Sequence, residues 1–129
     1  MDLYDYFEST KGLGVLATAD GEGRVDTAVY SRPHVMEDGS VAFIMRDRLS
    51  HANLQANPFA SFLFIEDRKG YKGKRLYLRK TREEKETELL YELRRRSYPS
   101  DDNPEEEPKF LVFFELEGER PLLGGGGKA

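Results

Sequence analysis

Two arginines, a serine and a histidine stand close together in the stretch VAFIMRDRLSHANLQANP, residues 41–58. Arg46 and Arg48 are two apart, so an extended backbone points both the same way. Ser50 comes two further on and His51 follows it. The apolar run Val41–Met45 reads as a strand. A short helix is expected over 50–56, with Ser50 as its N-cap and Asn57-Pro58 as its stop. Arginine binds phosphate bidentately, and the first N–H groups of a helix add donors at the same point. The residue types therefore fit a phosphorylated ligand held at a strand-to-helix junction. The same spacing also fits a surface arginine pair around Asp47 followed by an ordinary cap.

The elements that must position this junction are short. Leu3, Tyr6 and Phe7 fall at helical spacing, so residues 2–10 read as an amphipathic helix ended by Gly12 and Gly14. Strands are expected at 13–19 and 24–31, joined by the turn Asp20-Gly21-Glu22-Gly23. Residues 34–36 and 41–45 flank Glu37-Asp38-Gly39-Ser40, a hairpin signal. Phe59–Ile65 is almost wholly apolar, as in a strand buried on both faces. Alternation continues over 74–82. A second helix is expected from about Glu83 to Ser97, acidic first and arginine-rich last, with Leu89, Leu90 and Leu93 as its apolar stripe. Phe110–Leu116 reads as the last strand. The polar loop 99–108 is expected to be mobile and the glycine tail 124–129 disordered.

Composition narrows the chemistry. The chain has 129 residues, 38% hydrophobic and 34% charged, with a net charge of −4 and no cysteine. One soluble domain, residues 1–123, is expected, with a cytoplasmic location. Thiol nucleophiles, disulfides and cysteine-ligated metals are excluded. With two histidines, His34 and His51, and no matching carboxylate spacing, a metal site is not expected. No Gly-x-Ser-x-Gly elbow occurs. The run Arg68–Arg82 interleaves basic and aromatic residues, as single-strand nucleic-acid faces do, but the overall acidity favours a solvated strand and loop. A basic loop closing over an anionic ligand is a third reading of the run.

The order of these pieces resembles the pyridoxamine 5′-phosphate oxidase-like, FMN-binding split-barrel family. The resemblance rests on GVLATADGEGRVDTAVYS, the hairpin EDGSVAFIM and RDRLSHANLQANPFASFLFIE, with Asn53-Leu54 and Asn57-Pro58 in place. It extends to GKRLYLRKTREEKETELLYELRRRSYP and KFLVFFELEGERPLLG. It implies a mainly β, six-stranded antiparallel split barrel with two or three short helices. It also implies a homodimer with FMN at the subunit interface. Thr27, Ala28, Val29, Tyr30 and Ser31 would lie along the flavin ring, and Ile44, Met45 and Arg46 would border it. The turn Arg48, Leu49, Ser50 and His51 would hold the phosphate, with Arg46, Arg48, Ser50 and His51 as its ligands. Backbone N–H groups near Tyr30–Arg32 would bind the ring's polar edge, and Arg32 would stabilise reduced flavin. Tyr30, Tyr71 or His34 would stack on the ring or guide a substrate. A lysine common in the family at Leu49 or Ser50 is missing. The chain also ends ERPLLGGGGKA rather than in an arginine-bearing segment, so vitamin B6 oxidation is not expected. The resemblance points to an FMN-dependent oxidoreductase. A non-catalytic carrier of flavin or haem on the same barrel, with His34 or His51 as a haem ligand, is the alternative.

Overall fold

Antiparallel hairpins build most of the molecule. In a computed structural model, residues 2–97 and 108–124 are described. The order is α1 Leu3–Ser9, β1 Gly12–Ala19, β2 Val25–Tyr30, β3 His34–Val35, β4 Val41–Arg46 and α2 Leu49–Ala56. Then come β5 Phe59–Glu66, β6 Gly73–Lys85, α3 Glu88–Ser97 and β7 Lys109–Pro121. The strands form one antiparallel sheet, ordered β2-β1-β5-β6-β7-β4-β3. The sheet curls into a half-barrel, the split-barrel architecture. Seven strands appear rather than six, because the two-residue β3 pairs with β4 through His34–Ala42 and Val35–Val41. No helix among the described residues is long and apolar enough to cross a membrane.

The turns form where local chemistry asks for them. At the tip before β4, the Asp38 carboxylate accepts from the Ser40 N–H at 2.9 Å and from its hydroxyl at 2.6 Å. Gly39 there has φ +88°, a conformation that costs glycine little. Gly73 meets a different demand. A Cβ at this position would stand 1.9 Å from the Phe64 carbonyl oxygen, so no side chain fits between β5 and β6.

Inside the curl lie Phe7, Leu16, Phe43, Phe62, Phe64, Leu76 and Phe114, all almost fully buried. Phe43 is the hub. Its ring is 4.9 Å from that of Phe62, 5.8 Å from Phe114 and 6.0 Å from Tyr30. A second cluster covers the other face of β4 and β7, where Leu90 of α3 packs with Ala42, Ile44, Leu111 and Phe113. Leu89 and Leu93 join it, so the expected stripe is the docking face of α3. Covered on both sides, β4 is the most buried strand.

Three boundaries differ from the sequence expectation. The helix over 83–97 begins at Glu88, because Glu83, Glu84 and Lys85 pair with Val112, Leu111 and Phe110 as the end of β6. Bulges at Tyr77/Leu78 and Lys80/Arg82 break the alternation that would have carried the strand reading forward. The last strand runs to Pro121 rather than Leu116. Ser50 is not the N-cap of α2. Arg48 holds that position, and no side chain caps the helix. Residues 98–107 and 125–129, where the loop and tail were expected, lie outside the described residues.

Replacing Phe43 with alanine is expected to destabilise the fold by about 3–5 kcal/mol, as for other fully buried aromatics. Denaturant unfolding followed by circular dichroism measures this.

Candidate functional site

Strand β4 ends at Arg46, the chain turns at Asp47, and α2 starts at Leu49. The first intrahelical bond runs from Ala52 N–H to the Arg48 carbonyl at 3.0 Å. The N–H groups of Leu49, Ser50 and His51 therefore precede the helical ladder. Across from this turn lies β2. Between them is a cleft of about 270 Å³. One wall is Asp26, Ala28, Val29 and Tyr30 of β2; the other is Ile44, Arg46, Arg48, Leu49 and Ser50.

Helix α2 is fixed in place by polar contacts. The Asn53 amide donates to the Thr18 hydroxyl at 3.0 Å, and both side chains are buried. Asn57 closes the helix: its amide donates to the Asp20 carbonyl at 3.4 Å, and its side-chain oxygen accepts from the Phe59 N–H at 3.0 Å. The Asn-Leu and Asn-Pro pairs thus work as joinery between α2, β1 and the start of β5.

His51 turns away from the cleft. Its Nδ1 lies 3.0 Å from the Asp47 carboxylate and its Nε2 lies 2.9 Å from that of Glu83. Its ring stacks on Phe110 with centroids 3.9 Å apart. Glu83 also accepts from Lys80 at 2.6 Å and Gln55 at 3.0 Å. Partial burial pushes the Glu83 pKa up, but the bonds from Lys80, Gln55 and His51 outweigh it and bring it down to about 2.

The structure brings Ala28, Val29, Tyr30, Ile44, Arg46, Arg48, Leu49 and Ser50 together around one cleft. Five other residues of the expected set stand elsewhere. Thr27 and Ser31 are exposed and outside the cleft lining. Met45 points into the core, 1% exposed. The Arg32 guanidinium donates to the carbonyls of Phe7 at 2.7 Å and Thr10 at 3.2 Å, tying β2's exit to α1. His51 has its ring nitrogens at the carboxylates of Asp47 and Glu83 and is outside the cleft lining. His34 is buried on β3, and Tyr71 is exposed on the β5–β6 loop; neither lines the cleft. Asp26 does line it and was not singled out in the sequence. It shares a strand face with Ala28 and Tyr30 at i, i+2 and i+4, and that alternation is the signal for it.

Several cations of the basic run 68–82 meet acids, two of them across the sheet. Lys74 pairs with Glu119 at 2.6 Å, and Arg79 pairs with Glu117 at 3.1 Å and with Glu115. Arg68 pairs with Glu66, and Arg82 sits 3.7 Å over the Phe113 ring.

A pH dependence follows from Glu83. Its pKa falls on folding from 4.5 to about 2, so its contribution is full above pH 4.5 and is lost as the pH drops toward 2. After solvent screening, about 1–2 kcal/mol of unfolding free energy should disappear over that range. Glu83→Gln should flatten this limb of the stability curve, as read by urea unfolding at successive pH values.

No protein-family model matches the chain, and no curated protein does. Solved structures match its fold. An F420 reductase superposes with a TM-score of 0.72 at 13% identity, covering 92% of this chain and 97% of that one. An FMN-binding protein from Syntrophomonas wolfei gives 0.69 at 20% identity, over 92% and 82%. HutZ, the haem storage protein from Vibrio cholerae, gives 0.67 at 17% identity, over 91% and 89%. With this strand order, this curl and these neighbours, the chain has the pyridoxamine 5′-phosphate oxidase-like split-barrel fold.

Proposed function

We propose that the cleft binds FMN and that the protein is a flavin-dependent oxidoreductase. One observation carries the reading: two arginines and the first two residues of a helix, whose N–H groups precede its ladder, line one wall of a cleft whose other wall is a strand. Arg46 and Arg48 supply charge and bidentate donors to a phosphate, and the uncapped start of α2 adds backbone donors. This set takes the role of the lysine that the family often carries at Leu49 or Ser50. Ala28 and Ile44 give the cleft small and apolar surfaces suited to a planar ring, and Tyr30 closes the far end of the β2 wall. FMN, when bound, supplies the redox chemistry; the chain binds, orients and shields it. Of the neighbours described above, one is named for F420, one for FMN and one for haem, so the fold does not choose among them. Neither histidine lines this cleft, which favours the flavin over a haem held by histidine.

A second copy of the chain completes the site in this reading. At about 270 Å³ the cleft is smaller than the roughly 300–1,000 Å³ usual for ligand pockets. Val29 and Leu49 of its lining are 70% and 56% exposed, and Val25, on the same strand face as Val29, is 80% exposed. Apolar side chains in such a row mark a surface that a partner covers.

The purified protein should show a flavin absorption spectrum or acquire one on FMN addition. FMN should bind more tightly than riboflavin, which lacks the phosphate. Arg48→Ala should weaken FMN by about ten- to a hundredfold, the value of one charged hydrogen bond, and leave riboflavin unchanged. Equal affinities for FMN and riboflavin in the parent protein would overturn the phosphate assignment. Val29→Arg should shift the mass measured by light scattering from dimer to monomer and weaken FMN retention with it.

A further inference from the structure

Beyond the hairpin end of β4, away from the cleft, a groove of about 620 Å³ opens where the sheet loses a rung. Strand β7 pairs with β4 as far as Phe114–Val41, then runs on to Pro121 with β6 on one side only. Leu116 therefore lies past the end of that ladder. The start of α1 and the tip of the β3–β4 hairpin close around it. Leu3, Val35, Met36 and Leu116 make a half-buried apolar floor. Leu3, Val35 and Leu116 pack on the main core, and Met36 on the second cluster. The tip is held by bonds from the Met36 N–H to the Ser40 carbonyl at 2.8 Å and from the Gly39 N–H to the Met36 carbonyl at 3.0 Å. The groove is thus preformed, and its volume lies within the roughly 300–1,000 Å³ usual for small-molecule pockets. It shares no lining residue with the cleft. At about 3.3 Å per residue, the length of β4 sets Val41 roughly 17 Å from Arg46 of the cleft.

The charge around this groove has one sign. Asp2, Tyr4 and Glu37 form its exposed rim, and no lysine, arginine or histidine lines it. Asp2 is already engaged, since its carboxylate accepts the Asp5 N–H at 2.8 Å as the cap of α1. Glu37 is not: no hydrogen bond or ion pair joins its carboxylate to a described residue. We infer that the groove is a second ligand site and that it takes a small organic cation, an ammonium group carried on an aryl or alkyl body. The body covers the floor, which takes apolar surface on both sides out of water. The ammonium offers three donors and no acceptor, and a carboxylate only accepts, so Glu37 is its counterpart. An anion of the same shape meets carboxylates with no cation in the lining to offset them, and is refused. A neutral analogue gains the floor without the carboxylate. The inference stands apart from the FMN reading, and neither requires the other.

The test follows the methyl NMR signals of Leu3, Val35, Met36 and Leu116 in the full-length protein at low ionic strength. Three probes of one size are added in turn: phenethylamine, phenethyl alcohol and hydrocinnamate. The amine should shift these methyls saturably and bind about two- to fivefold more tightly than the alcohol, the range of a solvent-exposed ion pair. Hydrocinnamate should bind more weakly than either. Glu37→Gln, a substitution at an exposed position of the hairpin, should remove the margin of amine over alcohol and leave the alcohol unchanged. Shifts that do not saturate, or that fall on other methyls, overturn the site. Equal affinities for amine, alcohol and hydrocinnamate overturn the ligand class, and a margin that persists in Glu37→Gln overturns the role of that carboxylate.

Discussion

A single buried hydrogen bond determines where the cleft can be. Asn53 on α2 and Thr18 on β1 are each about 95% or more buried, and they answer each other at 3.0 Å. Neither group could be left alone there without a penalty of about 1–3 kcal/mol. The pair therefore fixes the roll and height of α2 on the sheet. Leu54, next along the helix, enters the main core and removes the remaining freedom. With α2 set, Arg48, Leu49 and Ser50 line the cleft across from β2, and Arg46 follows because it ends the strand that feeds the helix.

Around that joint the charges are sorted by task. Cross-strand pairs of β6 and β7 are exposed or nearly so, and each contributes little to stability. They do offset the charges of Lys74 and Arg79 within the basic run. The tighter group is His51 with Asp47, Glu83, Lys80 and Gln55, which joins the first turn of α2 to the bulged part of β6. It braces the helix start from behind, on the side away from the cleft. Charge at the molecule's surface is thus spent on neutrality, and charge near α2 on position.

Legibility in the sequence tracked how local the cause was. The Asp38-Gly39 turn, the two asparagines around α2 and the apolar runs of β4 and β5 are short-range signals, and each element appeared where it was read. Alternation on β2 is visible too, and it puts Asp26 on the same face as Ala28 and Tyr30. The start of α3 could not be read locally. Glu83–Lys85 suits a helix by propensity, and only pairing with β7, about thirty residues on, makes it strand. Side-chain direction was the other gap. Nothing in the spacing of Arg32, Met45 or His51 told that one would reach for α1 carbonyls, one for the core and one for Glu83, since each partner is distant in sequence. The cleft's membership was therefore half legible: its backbone frame was, its inward and outward choices were not.

The strand order has one further implication. The two walls of the cleft, β2 and β4, stand at or next to opposite edges of the sheet, with β1, β5, β6 and β7 between them. Among the described residues no ladder of hydrogen bonds joins one wall to the other, and α2 contacts both. The cleft is the seam of an unclosed cylinder. A molecule lodged across it would do more than occupy a site: it would be a rivet between the two lips. Occupancy would then be coupled to folding by mass action, adding about 2.7 kcal/mol when ligand stands at a hundred times its dissociation constant. The seam would also be the first place to gape in the empty protein, so hydrogen exchange along β2 would be a gauge of how full the protein is.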